Sequence, residues 1–190
     1  MWTVANLITV TRIALIPPFI YAVARGEYGA ALIVFAIASL TDYLDGYVAR
    51  RFNQNTSLGR LLDPAADKLL ATTAFATMAI GPEGLPSIPI WLAAAVVIRD
   101  LIIVIGSLAI YLRTGFTRFE PLAIGKLNTF LELGLMVFFL AVNITDRLAR
   151  LRLLLPHLYL VVMASVAASG ASYVSVGIRI LRQRGRMANP

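Results

Sequence analysis

Thr41 to Lys68 reads TDYLDGYVARRFNQNTSLGRLLDPAADK, which puts Asp42, Asp45, Asp63 and Asp67 within or beside two long apolar runs. A carboxylate at the centre of a bilayer costs about 2.5–3.5 kcal/mol on insertion scales, so four would cost on the order of 10 kcal/mol. That rivals the whole stability of a domain. The chain must therefore hold these groups in a wet cavity, neutralise them, or both. Asp42 and Asp45 are three residues apart and Asp63 and Asp67 four apart, so each pair shares one helical face. Gly59 falls on the face of Asp63. The eight residues Arg51 to Leu58 suit a tight return that makes the two helices antiparallel neighbours. Asp45 and Asp63 then lie roughly 6–8 Å from the turn, and Asp42 and Asp67 roughly 12 Å in. Four carboxylates meet at two matching depths.

Such a group repels itself unless cations sit among its members. Oxygen ligands without cysteine or a nearby histidine select hard ions: Mg²⁺ or Mn²⁺, with Ca²⁺ as a third candidate. Two divalent ions about 4 Å apart are the usual clamp for in-line displacement at phosphorus. Gly46 directly after Asp45, and Ala49 one turn on, leave room for a nucleotide against the backbone, and Arg50 can reach a phosphate. A lone Asp-x-x-Asp is more often a solvated helix end. Two such pairs inside apolar spans, flanked by these small residues, favour the metal reading.

The elements that must position these residues follow from composition. The 190 residues are 59% hydrophobic and only 14% charged, against about 25% charged in soluble domains, and the mean hydropathy is +0.79. Disorder is excluded. The absence of cysteine excludes disulfides, thiolate metal sites and cysteine nucleophiles. The net charge of +7 would suggest nucleic acid in a soluble protein; in so apolar a chain it suggests an anionic membrane surface, with no nucleic-acid partner.

Six apolar stretches, roughly Asn6–Ala24, Tyr28–Arg50, Gly59–Ile80, Ile88–Leu112, Leu122–Ile144 and His157–Ile180, predict six helical spans. No segment sustains the alternation of a membrane barrel. The fold class is an all-α integral membrane protein, a six-helix transmembrane bundle in one domain over 1–190, with its site near the cytoplasmic interface. The first span is read as retained: Ala22-Val23-Ala24 has the form of a cleavage site, but no basic stretch precedes the apolar run, and Arg12 and Pro17-Pro18 interrupt it. Counting basic residues puts both termini in the cytoplasm. Arg25, Arg147, Arg150 and Arg152 then lie on the opposite side, and the Arg147–Arg152 cluster reads as an interfacial amphipathic segment.

The pattern Asp42-x-x-Asp45-Gly46-x-x-Ala49-Arg50, eight residues, then Gly59-x-x-x-Asp63-x-x-x-Asp67 resembles the signature of the class I CDP-alcohol phosphatidyltransferase family, with every defining position filled. The resemblance implies transfer of a phosphatidyl group from a CDP-linked alcohol to an acceptor hydroxyl, with release of CMP. It implies that Asp42, Asp45 and Asp63 hold two divalent metal ions and that Asp67 is a further ligand or the catalytic base. Gly46, Ala49, Arg50 and Gly59 would line the CDP site. Arg99 and Lys126, with Arg118 and Arg179, are candidates for holding an anionic acceptor. The alternative for Arg99 is a buried ion pair, such as one with Glu132, and Lys68 reads as a counter-charge to an aspartate.

Asn6-Leu7-Ile8-Thr9-x-x-Arg12, Asp67-Lys68 and Gly125-Lys126-x-x-Thr129 resemble two branches of that family. One uses glycerol 3-phosphate as acceptor (phosphatidylglycerophosphate synthase), the other phosphatidylglycerol (CMP-forming cardiolipin synthase). Arg99-Asp100, Lys126-Leu127-Asn128-Thr129 and Ala171-Ser172-Tyr173 look more like the second, and both branches use CDP-diacylglycerol. The resemblance also implies a homodimer and, with the charge pattern, a bacterial inner membrane rich in anionic lipid. A cation transporter is the alternative from another class. A prenyl-chain synthase shares paired Asp-x-x-Asp motifs, but such enzymes are normally soluble.

Overall fold

Each apolar run becomes one helix; the breaks after the first and third helices fall at glycine and proline, and the break after the fifth falls at residues 143–145. The computed structural model describes the backbone of residues 4–52, 59–81, 84–114 and 122–187, and the side chains of 13–41, 69–81, 84–109, 112 and 122–179. The helices are α1 (Val4–Ala24), α2 (Tyr28–Phe52), α3 (Gly59–Ile80), α4 (Ile90–Thr114), α5 (Ala123–Val142) and α6 (Leu155–Met187), with a 3₁₀ helix at Asp146–Leu154 between the last two. Ile90–Ala109, Ala123–Val142 and a stretch within Asp146–Arg179 are long and apolar enough to cross a membrane, and Ile13–Ala24, Tyr28–Thr41 and Leu69–Ile80 are shorter apolar helical pieces. Pro17 and Pro18 do not end α1 but lie inside it; in an apolar bundle neighbouring groups can satisfy the carbonyls that proline leaves free.

The turn between α1 and α2 is set by Gly26, whose φ of 70° suits a residue without Cβ. Gly26 N–H donates to Val23 O at 2.9 Å and Glu27 N–H to Ala22 O at 2.9 Å, the bonding pattern of a glycine-terminated helix. Leu85 packs over this turn, 3.4 Å from where a Gly26 Cβ would stand. Tyr28 Oη donates to Pro86 O at 3.0 Å, and Gly29 lies beside Ile144. The α1–α2, α3–α4 and α5–α6 connections therefore gather at one end. The ends of α2 and α4 and the starts of α3 and α5 belong to the other end, with the start of α1 and the end of α6.

The helices close into a ring in the order α2, α1, α3, α4, α6, α5, and α3 and α5 also meet across it. The antiparallel α2 and α3, expected as direct neighbours, share two flanking partners among the described residues: α1 and α5 each pack against both. Phe19, Phe35, Phe75, Met78, Leu92, Met136 and Phe139 fill the core, with Phe19 and Phe35 rings 6.0 Å apart and Tyr28 edge-on to Phe139 at 6.4 Å. Large apolar side chains also point outward: Ile90 and Phe130 are each 72% exposed. A belt of this kind suits lipid rather than water.

Candidate active site at the acidic end of the bundle

The aspartates stand on uninterrupted helix. Asp42, Asp45, Gly46, Ala49 and Arg50 belong to the last turns of α2, and Gly59, Asp63 and Asp67 to the first turns of α3. Because α2 ends and α3 begins at the same end of the bundle, the i,i+3 and i,i+4 spacings do set each pair on one helical face there. The side chains of these eight residues, and of Lys68, lie outside the described residues, as does the whole of Arg118. Among the described residues no group of three His, Cys, Asp or Glu could hold a metal ion. The all-oxygen donor set of the four aspartates, on two helices that meet one end of the bundle, fits a hard divalent cation.

Above this end the interior turns polar. Arg99 and Asp100 on α4 are each only 4% exposed, and Arg99 Nη1 lies 2.6 Å from Asp100 Oδ1. Arg99 Nη2 donates to Ser169 Oγ on α6 at 2.6 Å, and Thr72 Oγ1 on α3 donates to Asp100 Oδ2 at 3.4 Å. The Arg99 guanidinium also sits 5.8 Å from the centre of the Tyr173 ring. One layer thus ties α3, α4 and α6 together. On α5, Asn128 Nδ2 donates to Glu132 Oε1 at 2.6 Å, and Ser165 Oγ on α6 donates to Asn128 Oδ1 at 2.7 Å. Burying a charge is tolerable when it is paired and hydrogen-bonded; Arg99 meets this through Nη1 and Nη2, while its buried Nε has no hydrogen-bond partner among the described residues.

Ser165, Ser169 and Tyr173 recur every fourth residue, so they line one face of α6 and step toward the acidic end by about 6 Å each. At the last step the Tyr173 hydroxyl presses against Gly125 in the first turn of α5. A Cβ on Gly125 would stand 2.6 Å from Tyr173 Oη, so glycine is what lets the ring in. Thr129 Oγ1 donates back to Gly125 O at 3.1 Å. The register fixes depth: Thr72 is level with Asp100, and Asp67 is five residues nearer the acidic end, roughly 7–8 Å. Tyr173 lies one turn beyond Ser169 in the same direction.

The acceptor candidates divide by environment. Lys126, in the first turn of α5, is exposed, and so is Arg179 near the end of α6. Arg179 lies six residues past Tyr173, about a third of a turn off the Ser165–Tyr173 face. Arg99 is buried and paired with its neighbour Asp100. Sequence reading singled out Arg99, Asp100 and Glu132 but missed Thr72, Asn128, Ser165 and Ser169 as their hydrogen-bonding surroundings. The signal was the fourfold spacing of Ser165, Ser169 and Tyr173, and of Asn128 and Glu132.

A helical bundle with an apolar outer belt, a polar interior layer and paired aspartates at one end defines a membrane protein built around an acidic site. Comparison with known proteins gives its lineage. The model of the CDP-alcohol phosphatidyltransferase family matches residues 2–175, and the chain belongs to that family of integral membrane proteins. A CMP-forming cardiolipin synthase of Streptomyces coelicolor is 36% identical over 136 residues, 67% of this chain and 60% of the relative. That of Homo sapiens is 31% identical over 192 residues, 93% of this chain and 62% of the relative. A CDP-diacylglycerol–glycerol-3-phosphate 3-phosphatidyltransferase of Aquifex aeolicus is 31% identical over 185 residues, 94% of this chain and 97% of the relative. The chain thus spans about 60% of the length of the first two and nearly all of the third.

Proposed function

We propose that this protein transfers the phosphatidyl group of CDP-diacylglycerol to the hydroxyl of phosphatidylglycerol and releases CMP, the reaction of a CMP-forming cardiolipin synthase. The observation that carries the reading is the complete aspartate signature, with Asp42 and Asp45 toward the end of α2 and Asp63 and Asp67 at the start of α3, in a chain of this family. Asp42, Asp45 and Asp63 would hold two divalent ions, Mg²⁺ or Mn²⁺, with Asp67 as a fourth ligand or as the base. When bound, those ions supply charge neutralisation to the pyrophosphate and to the departing CMP. Gly46, Ala49 and Gly59 keep the helix surfaces low, so that the cytidine diphosphate can lie against backbone, and Arg50 places a guanidinium on a phosphate. Asp67 takes the proton of the acceptor hydroxyl as its oxygen bonds to the phosphatidyl phosphorus; the bond from that phosphorus to the bridging oxygen breaks, and the oxygen leaves with CMP. Lys126, Arg118 and Arg179 meet the acceptor's phosphate, and Arg99 supports that pocket through Ser169 and Tyr173.

Glycerol 3-phosphate is the second reading, favoured by the near full-length match to the Aquifex aeolicus relative. The acceptor assignment to phosphatidylglycerol draws on Arg99-Asp100 and Tyr173, and on the cardiolipin synthases among the relatives. The bundle would sit in a bacterial inner membrane as a homodimer, with the aspartates and both termini facing the cytoplasm. Purified protein supplied with Mg²⁺ or Mn²⁺, CDP-diacylglycerol and one acceptor at a time is expected to release CMP and form cardiolipin with phosphatidylglycerol. Product with glycerol 3-phosphate alone moves the assignment to the second branch. No CMP release with any acceptor overturns the transferase reading, and metal uptake lost in Asp42→Asn, with no CMP released, would replace it with transport.

A further inference from the structure

The 3₁₀ helix Asp146–Leu154 buries none of its nine residues, yet it is tethered. Arg152 Nε donates to Val142 O at 3.3 Å, at the carbonyl end of α5, and Arg152 Nη2 lies 3.5 Å from Asp146 Oδ1. Thr145 Oγ1 accepts from Arg147 N–H at 3.4 Å and caps the segment. With three residues per turn, side chains three apart eclipse one another and the helix becomes a three-sided prism. Asp146, Ala149 and Arg152 form the side that carries the tether. Leu148, Leu151 and Leu154 form the second side, and Arg147, Arg150 and Leu153 the third. Leu151 is 42% exposed and Leu154 49%, and Arg147 and Arg150 are both exposed. A leucine strip therefore runs alongside a pair of guanidinium groups that make no ion pair among the described residues.

The segment joins α5 to α6 at the end gathered around the α1–α2 turn, opposite the aspartates. A bundle that spans a bilayer meets the water boundary there, where an apolar strip beside a cationic strip is stable. We propose that this helix is a binding surface for anionic phospholipid in the leaflet opposite the aspartates: Leu148, Leu151 and Leu154 enter the acyl boundary, and Arg147 and Arg150 take headgroup phosphates. The charge supports that occupant. Asp146 is matched by Arg152, so Arg147 and Arg150 are left as a net double positive charge. Three residues of 3₁₀ rise separate them by about 6 Å along the axis, and each guanidinium presents a planar fork that fits phosphate oxygens. An apolar surface on a second copy of the chain would have no use for the two guanidiniums. The surface also accounts for arginines at an end where positive charge is ordinarily scarce. It stands independently of the transfer reaction.

The test uses the full chain in lipid bilayers. Since the sequence has no cysteine, Leu154→Cys accepts a single fluorophore. Doxyl-labelled phosphatidylglycerol and doxyl-labelled phosphatidylcholine are compared as quenchers at equal mole fraction in a phosphatidylcholine bilayer. The phosphatidylglycerol probe is expected to quench several-fold more, with a ceiling of roughly five-fold per arginine. Adding Arg147→Gln and Arg150→Gln to the labelled chain should bring the two probes to parity, whereas Arg182→Gln with Arg184→Gln, in the last turns of α6 at the other end of the bundle, should leave the preference intact. Equal quenching with both arginines present would overturn headgroup selection. Quenching by aqueous iodide and by neither lipid would remove the segment from the membrane. Protection from all three quenchers, gained only as protein is concentrated in the bilayer, would make the surface a contact between copies.

Discussion

Toward the α1–α2 turn the bundle is filled by Phe19, Phe35, Phe75, Met78 and Phe139; farther along the bundle, toward the aspartates, it holds Arg99, Asp100, Asn128, Glu132, Ser165 and Ser169. Both regions are closely packed, but their specificity has different sources. The apolar region is specified by volume, through ring packing and close contact. The polar region is specified by pairing, since a donor placed there needs an acceptor, whether on its own helix or on a neighbouring one. The first can serve as a rigid frame. The second crosslinks α3, α4, α5 and α6 where they approach the acidic end, at the expense of burying charge.

The sharpest way to break the contrast is to remove one large group from each region. Phe139→Ala should destabilise the bundle by about 3–5 kcal/mol through a cavity, and thermal unfolding in detergent should show it with the specific activity of the folded fraction kept. Arg99→Ala should cost a similar ~3–5 kcal/mol for a different reason, the loss of the guanidinium from a buried carboxylate. The two variants separate on rescue: Arg99→Met combined with Asp100→Leu should recover most of the stability, because an apolar pair needs no partner. If the double variant is no more stable than Arg99→Ala, pairing is not what specifies this layer.

Asp63→Asn tests the far side of the polar region. CMP release should fall by about 10²–10³-fold, the scale of losing one charge-stabilising group from an active site, with little change in unfolding temperature. Chelation of divalent ions by EDTA should silence the unsubstituted protein likewise. Full turnover by Asp63→Asn would break the two-metal assignment. A smaller effect is expected from Gly125→Ala, whose Cβ meets the Tyr173 hydroxyl. Overpacking of this kind costs about 1–3 kcal/mol, and adding Tyr173→Phe should relieve part of it. Smallest is Asn143→Ala, at the end of α5 in the apolar region. It removes the 2.7 Å bond from Asn143 Nδ2 to Phe139 O, worth about 1 kcal/mol, and should leave activity untouched.

Six helices were legible in the sequence because a bilayer-length apolar run between Gly and Pro breaks has few other uses. The observed helix ends fall within a few residues of those expected in most cases; α6 runs beyond its apolar stretch to Met187. The aspartate faces were legible too, since helical spacing alone sets which side chains share a face, and the family was legible through the resemblance of the whole motif to its signature. The partner of Arg99 was not. Glu132 was a reasonable candidate, and the structure pairs Arg99 with the residue next to it, Asp100, while also reaching Ser169 on another helix.

Spacing along one helix is a local property, fixed by 3.6 residues per turn, so the sequence by itself determined the spans, the two aspartate faces and the chemistry those oxygens can support. Which helices touch is not local. The ring order, the flanking of α2 and α3 by α1 and α5, the Tyr173 hydroxyl against Gly125 and the three-sided 3₁₀ helix were decided by tertiary packing. There, Thr72, Asn128 and Arg99 found partners on whichever neighbouring helices the apolar surfaces had already brought within reach.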